Sequence, residues 1–322
     1  MECRGCSLAL QRAITDFGAD DPFAGAAGKL KEHYGIDFPV STIRVITEKH
    51  GEAMWARQSQ GSAWPDRPGV AALITEMDGS QLPVVETAEP VWGEGAVDRR
   101  TTRQLRWKET RLCLAHEPGS VSPVFGATTG GAEQAGAQWR QCVIAAGAGS
   151  RTGIHALGDG ACWITDQMEL QLGTQAQYLV DFYHLCDYLS AAADAVAASE
   201  KQGWMEEKKT LLKQNRWIQV LRDLEPFLEP VDTPDDDAPV RACHRYIDNR
   251  SNCLDYQGAL AKDLPIGSGE IESAHRYILQ NRLKIAGAWW TMNNLAKMVA
   301  LRVVRANRGW EDYWSEIGRP AA

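Results

Sequence analysis

The sequence has no long apolar segment and no apolar amino terminus. Nowhere do about 18 apolar residues follow one another, as a membrane-spanning helix would need. The first residues, MECRGCSLALQRAITDFG, are interrupted by charged and polar side chains where a secretory signal peptide needs a continuous apolar run. These absences predict a soluble, cytoplasmic protein without a membrane partner.

A disulfide framework and a complete zinc site are also missing from the pattern of cysteines. The eight cysteines are scattered, and only CRGC, at Cys3 and Cys6, has the spacing of a pair of zinc ligands. A tetrahedral site would need a second such pair, and the sequence contains none. The CRGC motif therefore fits the end of a zinc ribbon whose front part would belong to a longer parent protein.

Positive charge is scarce overall, since the formal net charge is −8. This value argues against a uniformly basic nucleic-acid-binding protein, but a ligand responds to local fields. Residues 98–111 contain six basic and two acidic side chains, and residues 270–309 contain seven basic and two acidic ones. Two stretches are therefore basic enough to contact phosphates, while acid is concentrated elsewhere, as in VDTPDDDAP (231–239).

The first helical segment has the pattern of a helix-turn-helix. Residues 23–54 predict one helix that ends at Gly35 and a second that begins at about Val40, with Arg44 on its exposed side. A recognition helix would use such a cation on DNA. Two helices packed only for stability explain the same spacing equally well.

Alternating strand and helix patterns then predict an α/β core, in which ligands bind at the carboxyl ends of strands. The apolar run before Asp78 predicts a buried strand followed by a turn at Gly79, and the run before Asp159 repeats this arrangement. Two such carboxylates suit Mg²⁺ or Mn²⁺, which prefer oxygen ligands. Acids at strand ends also serve as turn formers and helix caps, and the spacing leaves both roles open.

The stretch PIGSGEIESAH (265–275) places Glu270 and Glu272 in the first turn of a predicted helix. Acidic residues there interact favourably with the helix macrodipole, which is their commonest role. A third carboxylate near Asp78 and Asp159 would instead complete an oxygen-ligand site for phosphoryl transfer.

Five segments carry a resemblance to a known family: EMDGS (76–80), WKETRL (107–112), GDGACWI (158–164), DFYHLCDYL (181–189) and PIGSGEIESAHRYILQNRLKIAGAWW (265–290). Together they closely resemble the ISKra-type insertion-sequence transposases. That family belongs to the DDE class and is similar to the Mutator group. Its ribonuclease-H-like catalytic domain implies a mixed sheet flanked by helices. The match spans about residues 23 to 310, and the last segment is the most specific.

The resemblance implies that Asp78, Asp159 and Glu272 hold Mg²⁺ or Mn²⁺ as the three catalytic acids, with Glu270 as the alternate third acid. It also implies that His184, in a (Cys or Asp)-x-x-His signature, positions DNA or a leaving group. A single histidine before an apolar helix is also compatible with a structural role.

The resemblance further implies that the basic residues after the third acid, Arg276, Arg282 and Lys284, contact DNA phosphates together with Arg44. A solvated basic face explains these cations equally well. The partners would be double-stranded DNA, as transposon ends and target, and a second copy of the chain in a homodimer or higher oligomer. A bacterial cytoplasmic, nucleoid-associated location follows.

Four segments are expected: a helix-turn-helix-like DNA-binding segment (1–57), the first part of the catalytic core (68–186), a helical insertion (187–260) and the carboxyl-terminal helices of the core (261–322). Family members look longer at the amino terminus. A truncated or host-retained DNA-binding protein is therefore the main alternative to an active transposase, and a nuclease or phosphatase with an unrelated substrate is a third possibility.

Overall fold

The computed structural model describes residues 5–58, 63–87 and 101–318. Cys3, Arg99 and Arg100 lie outside these ranges. The predicted zinc pair and the first cations of the basic stretch 98–111 therefore stay predictions.

A five-stranded mixed sheet forms the centre of the molecule. Its strands, in chain order, are β1 (Ala72–Glu86), β2 (Gln104–His116), β3 (Val124–Thr128), β4 (Gly153–Gly158) and β5 (Ala176–Val180). They lie side by side in the order β3-β2-β1-β4-β5. Strand β2 is antiparallel to both β1 and β3, whereas β4 runs parallel to β1 and β5 runs parallel to β4. The prediction of an α/β fold with a mixed sheet flanked by helices is confirmed.

Helices precede the sheet, connect its strands and follow it. The α-helices are α1 (Leu8–Asp20), α2 (Phe23–Tyr34), α3 (Val40–Gln58), α4 (Ala132–Ala145), α5 (Cys162–Leu172), α6 (Phe182–Val196), α7 (Lys201–Lys213), α8 (Trp217–Leu224), α9 (Pro239–Asp248), α10 (Tyr256–Ala261), α11 (Gly269–Ala274), α12 (Asn281–Leu283), α13 (Met292–Ala306) and α14 (Trp310–Ile317). A π-helical segment (His275–Gln280) joins α11 to α12. Short 3₁₀ turns lie at Gly173–Gln175, Glu225–Phe227, Asp235–Asp237 and Ser251–Cys253.

Apolar side chains are buried on both faces of the sheet. On one face Trp139 of α4 is fully buried and donates its indole N–H to the hydroxyl of Thr75, at 2.6 Å. The other face packs Leu82, Val84 and Leu112 against the segment α11 to α13. Successive residues of β1 thus point to opposite layers, as the period of a strand requires. This alternation directs Glu76 and Asp78 toward α11.

The predicted helix-turn-helix segment contains one helix more than expected. Gly35 ends α2 with a left-handed backbone (φ 67°), and α3 begins at Val40, both as predicted. The preceding helix α1 was not predicted, and it shares a small apolar core with α2 and α3. Helix α3 also packs along α13, so these helices adjoin the carboxyl-terminal part of the chain.

The prediction of a turn at Gly79 is wrong. Strand β1 continues to Glu86, and its pairing with β2 is unbroken from Ile74 to Glu86. The glycine has a different purpose, because a Cβ atom there would lie 2.2 Å from the Glu109 carboxylate. The missing side chain makes room for Glu109 on the neighbouring strand.

Within the described ranges, no helix is long and apolar enough to cross a membrane.

His50 joins three of the terminal helices. The imidazole of this buried α3 residue is hydrogen-bonded to the Tyr313 hydroxyl of α14 at 2.7 Å and to Oε1 of Gln11 of α1 at 3.0 Å. Burial lowers the pKa of His50 from 6.5 to about 4. Between pH 6.5 and 4, His50 therefore stays neutral in the folded protein, whereas the same side chain binds a proton in the unfolded chain.

We expect the free energy of unfolding of the wild-type protein to decrease as the pH falls from 6.5 toward 4, by up to about 1.4 kcal/mol per pH unit from this group. His50→Gln should lack this part of the slope, and His33→Gln, at an exposed position of α2, should keep it. Urea unfolding at a series of pH values measures the slopes. Equal slopes in wild type and His50→Gln would contradict the assignment.

Candidate active site

Three aspartates lie in a row where the parallel strands end. The pairing of β1 with β4 ends with Glu76 opposite Leu157, and Asp78 and Asp159 each follow this last pair by two residues. The pairing of β4 with β5 ends with Gly158 opposite Val180, and Asp181 thus follows next to Asp159. The structure therefore brings together the two predicted acids and adds a third aspartate.

Asp181 is buried and serves as a structural anchor. Its Oδ1 accepts hydrogen bonds from the backbone N–H groups of Tyr183 (2.6 Å) and His184 (3.0 Å) at the start of α6. Its Oδ2 accepts from the backbone N–H of Ser268 at 2.7 Å and from the Ser268 hydroxyl. Four donors occupy both oxygens, so this carboxylate ties β5 and α6 to the loop before α11.

Two further contacts fix α11 over the middle of β1. The backbone N–H of Ile271 donates to Oε2 of the buried Glu76, at 2.8 Å. One turn further on, Nε2 of the buried His275 lies 3.3 Å from Oδ2 of the half-buried Asp78. The helix is thus held at Ser268, Ile271 and His275, and it runs from the end of β5 to β1, past the end of β4.

The two glutamates of GSGEIES face different parts of the sheet. Oε2 of Glu270 lies 3.3 Å from Nε2 of His116, on β2. Strand β2 lies on the side of β1 that faces away from β4. Glu272 is exposed and precedes His275 by three residues, a spacing that places both on one helix face. Its charge acts on the buried Glu76, as the charge of Glu270 also does.

Negative charge accumulates around Glu76. Burial raises the pKa of this carboxyl group to about 8, and the nearby charges of Glu270, Asp181 and Glu272 raise it further, whereas the hydrogen bond from Ile271 opposes the shift. Glu76 is thus largely protonated at neutral pH while no cation is near. The site has the electrostatic character of a pocket that would gain stability from a bound cation.

The turn after Asp159 is held by the helical insertion. The Tyr246 hydroxyl of α9 donates to the Asp159 carbonyl at 2.5 Å, and Nε of Arg250 donates to the Gly160 carbonyl at 2.8 Å. Gly160 has a positive φ of 79°, and a Cβ atom there would meet the Arg250 side chain. The carboxylate itself accepts from the backbone N–H of Ala161 at 2.8 Å. The insertion therefore sets the direction of the backbone at the second acid.

His184 lies behind this turn. The half-buried ring packs edge-on against Tyr188 and Tyr246, with centroids 5.6 and 5.8 Å away. Tyr246 is also the residue whose hydroxyl donates to the Asp159 carbonyl. This position gives His184 a packing role, and its predicted role with DNA stays a prediction.

The four predicted DNA-contacting cations have different environments. Arg44 and Arg276 are exposed, as is Lys284, whose ammonium lies 5.3 Å from the ring centre of Trp107. Arg282 is 2% exposed and donates to the Gly18 carbonyl from two guanidinium nitrogens.

The packing of Arg282 corrects the expectation of a solvated basic face at this residue. Its guanidinium lies between the rings of Phe23 and Trp290, at 4.9 and 5.0 Å. Burial lowers its pKa to about 10. Arg282 therefore joins α1, α2 and the segment after α12, and only its edge lines a surface groove together with Arg44.

Mg²⁺ or Mn²⁺, the cations that the resemblance implies, bind oxygen ligands such as carboxylates. Across the described part of the chain, no three His, Cys, Asp or Glu side chains are close enough to hold a metal ion. Mg²⁺ commonly uses only one or two carboxylates and keeps several waters. Asp78 and Asp159, each two residues beyond the last pair of β1 and β4, are compatible with that requirement, and Glu272 would join from the helix.

Several residues of the site had little or no signal in the sequence. Asp181 and Ser268 lie inside quoted motifs, but their mutual bond spans 87 residues. Tyr246 lies near the end of α9 and Arg250 lies in the turn that follows it, but nothing local indicates that these side chains contact the turn at Asp159.

No protein-family model matches this chain, and no curated protein sequence matches it. The resemblance to ISKra-type transposases therefore rests on the quoted motifs and stays a prediction.

The hydrogen bonds of Asp181 predict that substitution of this residue lowers the free energy of unfolding strongly. Asp181→Asn replaces one accepting oxygen by an amide donor, so that either the start of α6 or Ser268 loses its partner, at a cost of about 2–3 kcal/mol. Asp187→Asn, at an exposed position of α6, is the matched control. Urea unfolding measures both, and a loss below about 0.5 kcal/mol in Asp181→Asn would contradict the anchor.

The raised pKa of Glu76 predicts a pH-dependent gain of stability in Glu76→Gln. The folded protein holds a proton that the unfolded chain releases, so the wild type loses free energy of unfolding between pH 4.5 and about 8. Across this window, the free energy of unfolding of Glu76→Gln should rise relative to that of the wild type by up to about 1.4 kcal/mol per pH unit. Unfolding in EDTA measures the difference, with Glu86→Gln at the exposed end of the strand as control. A pH-independent difference would contradict the shift.

Proposed function

We propose that this chain is a metal-dependent DNA transposase of the DDE class, similar to the ISKra-type enzymes. The order and directions of the strands are compatible with a ribonuclease-H-like fold. One observation carries the proposal: Asp78 and Asp159 each follow the last pair of β1 and β4 by two residues, and α11, which carries Glu272, is anchored at Asp181 and lies next to Asp78.

The reaction consists of two phosphoryl transfers. Water attacks a phosphodiester at the end of the element, the P–O3′ bond breaks, and the released oxygen takes a proton to become a 3′-hydroxyl. That hydroxyl then attacks a phosphodiester of the target, which leaves a new 3′-hydroxyl on the target strand. Divalent cations support this chemistry by activating the attacking oxygen and stabilising the leaving oxygen.

The side chains of the protein would hold the cations and fix the positions of the carboxylates. Asp78, Asp159 and Glu272 would hold the cations, and His275, beside Oδ2 of Asp78, orients that carboxylate. Asp181 fixes α11 through Ser268. These contacts hold three carboxylates on separate elements in a constant arrangement, as in-line displacement requires.

Exposed cations beyond the third acid support DNA as the substrate. Arg276 and Lys284 are solvent-accessible on the segment that follows α11. Contacts of this kind neutralise phosphates, and the binding should therefore weaken steeply as salt rises. Two transposon ends must be paired for strand transfer, and we therefore propose a dimer or higher oligomer on DNA.

We expect Asp78→Asn, Asp159→Asn and Glu272→Gln each to lower Mg²⁺-dependent cleavage of supercoiled DNA by at least about 100-fold, because each removes a negative ligand. Glu270→Gln should stay within about threefold of the wild type, since its carboxylate faces His116. Gel assays of nicking with purified protein measure these rates, and EDTA should abolish them.

Other outcomes would change the proposal in defined ways. Loss of cleavage in Glu270→Gln alone would move the third acid to that residue. A wild-type protein that binds DNA in a salt-sensitive manner without cutting it would instead be a transposase-derived DNA-binding protein.

A further inference from the structure

A surface groove lies far from the aspartates, at the distal end of the β1–β2 hairpin. It has a volume of about 550 Å³, within the range of pockets that hold small organic ligands. Its walls come from α2, α3, the end of β1 and the segment after α12. The residues used below are Arg44, Glu48, Arg103, Arg282 and Trp289.

Trp289 offers a flat aromatic surface at this groove. It is 57% exposed, although its neighbour Trp290 is buried. Trp290 is held by a hydrogen bond from its indole N–H to the Leu283 carbonyl at 3.0 Å, and its own carbonyl accepts from the Val85 N–H at 2.7 Å. The backbone under Trp289 is thus fixed, and its ring is accessible for stacking.

The groove is locally positive in a chain whose net charge is −8. Among the residues that the structure describes, the exposed Arg44 and Arg103 and the buried Arg282 line it, together with one acid, Glu48. The guanidinium of Arg103 lies 5.6 Å from the ring centre of Trp289. An aromatic face next to cations favours a ligand that combines a planar ring with negative charge.

We propose that this groove binds an unpaired nucleotide of the DNA substrate, with the base stacked on Trp289 and the phosphate between Arg44 and Arg103. This inference rests on the proposed function, which supplies the DNA. Val84, which pairs with Trp290, lies six residue steps along β1 from Asp78, a distance of about 20 Å. A strand held at the aspartates can reach the groove across that distance.

Binding in EDTA separates this proposal from catalysis. Fluorescence anisotropy would compare an oligothymidylate of about 20 nucleotides with a duplex of the same length. We expect Trp289→Ala to weaken oligothymidylate binding about tenfold and duplex binding less than about threefold, because stacking needs an exposed base face. Trp289→Phe should restore most of the loss.

Matched variants control for surface changes. Trp55→Ala removes another exposed tryptophan, on α3, and Arg151→Ala removes an exposed arginine before β4. Neither should alter oligothymidylate binding, whereas Arg103→Ala should weaken it about fivefold.

The proposal is overturned if Trp289→Ala binds the oligothymidylate like the wild type, if it weakens both DNAs equally, or if the wild type does not bind the oligothymidylate. A protein that binds DNA as described but does not cut it would refute the proposed transposase activity and leave the groove intact. A protein that cuts DNA while Trp289→Ala binds normally would refute only the groove.

Discussion

The buried carboxylate of Asp181 is the interaction on which the rest of the site depends. A buried carboxylate requires several donors to offset its lost hydration, and this one finds them at the start of α6 and in the loop before α11. It therefore couples two segments that are far apart in the chain. Without that coupling, α11 would have no fixed position relative to the strand ends, and Glu272 would have no fixed relation to Asp78 and Asp159.

The helical insertion supports the same edge of the sheet from the other side. Tyr246 and Arg250 bind the backbone carbonyls of Asp159 and Gly160, so the second acid is held by residues almost 90 positions later. Carboxylates that repel one another must be kept together by contacts elsewhere, and the raised pKa of Glu76 reports that repulsion and the burial. The hydrogen bonds that hold this edge of the sheet and the accumulated negative charge occur in the same part of the molecule, and that charge would favour a bound cation.

Local patterns predicted the main elements and two of the acids, because an apolar run that ends in an aspartate is visible in a short window. The same patterns failed at Gly79, where a glycine permits a neighbouring side chain to lie close and does not form a turn. They also could not show that Arg282 is buried between Phe23 and Trp290, since that environment comes from residues more than 250 positions apart as well as from near neighbours. Helix α1 and strand β3 were missed for lack of a distinct pattern.

The claim that Asp78, Asp159 and Glu272 form a divalent-cation site is tested most directly by a crystal structure of the protein with bound Mn²⁺. Anomalous scattering locates the ion without reference to any activity. The account predicts a peak in contact with the carboxylates of Asp78 and Asp159, with Glu272 turned toward it. Manganese bound only at other positions, with Asp78 still paired to His275, would contradict the account.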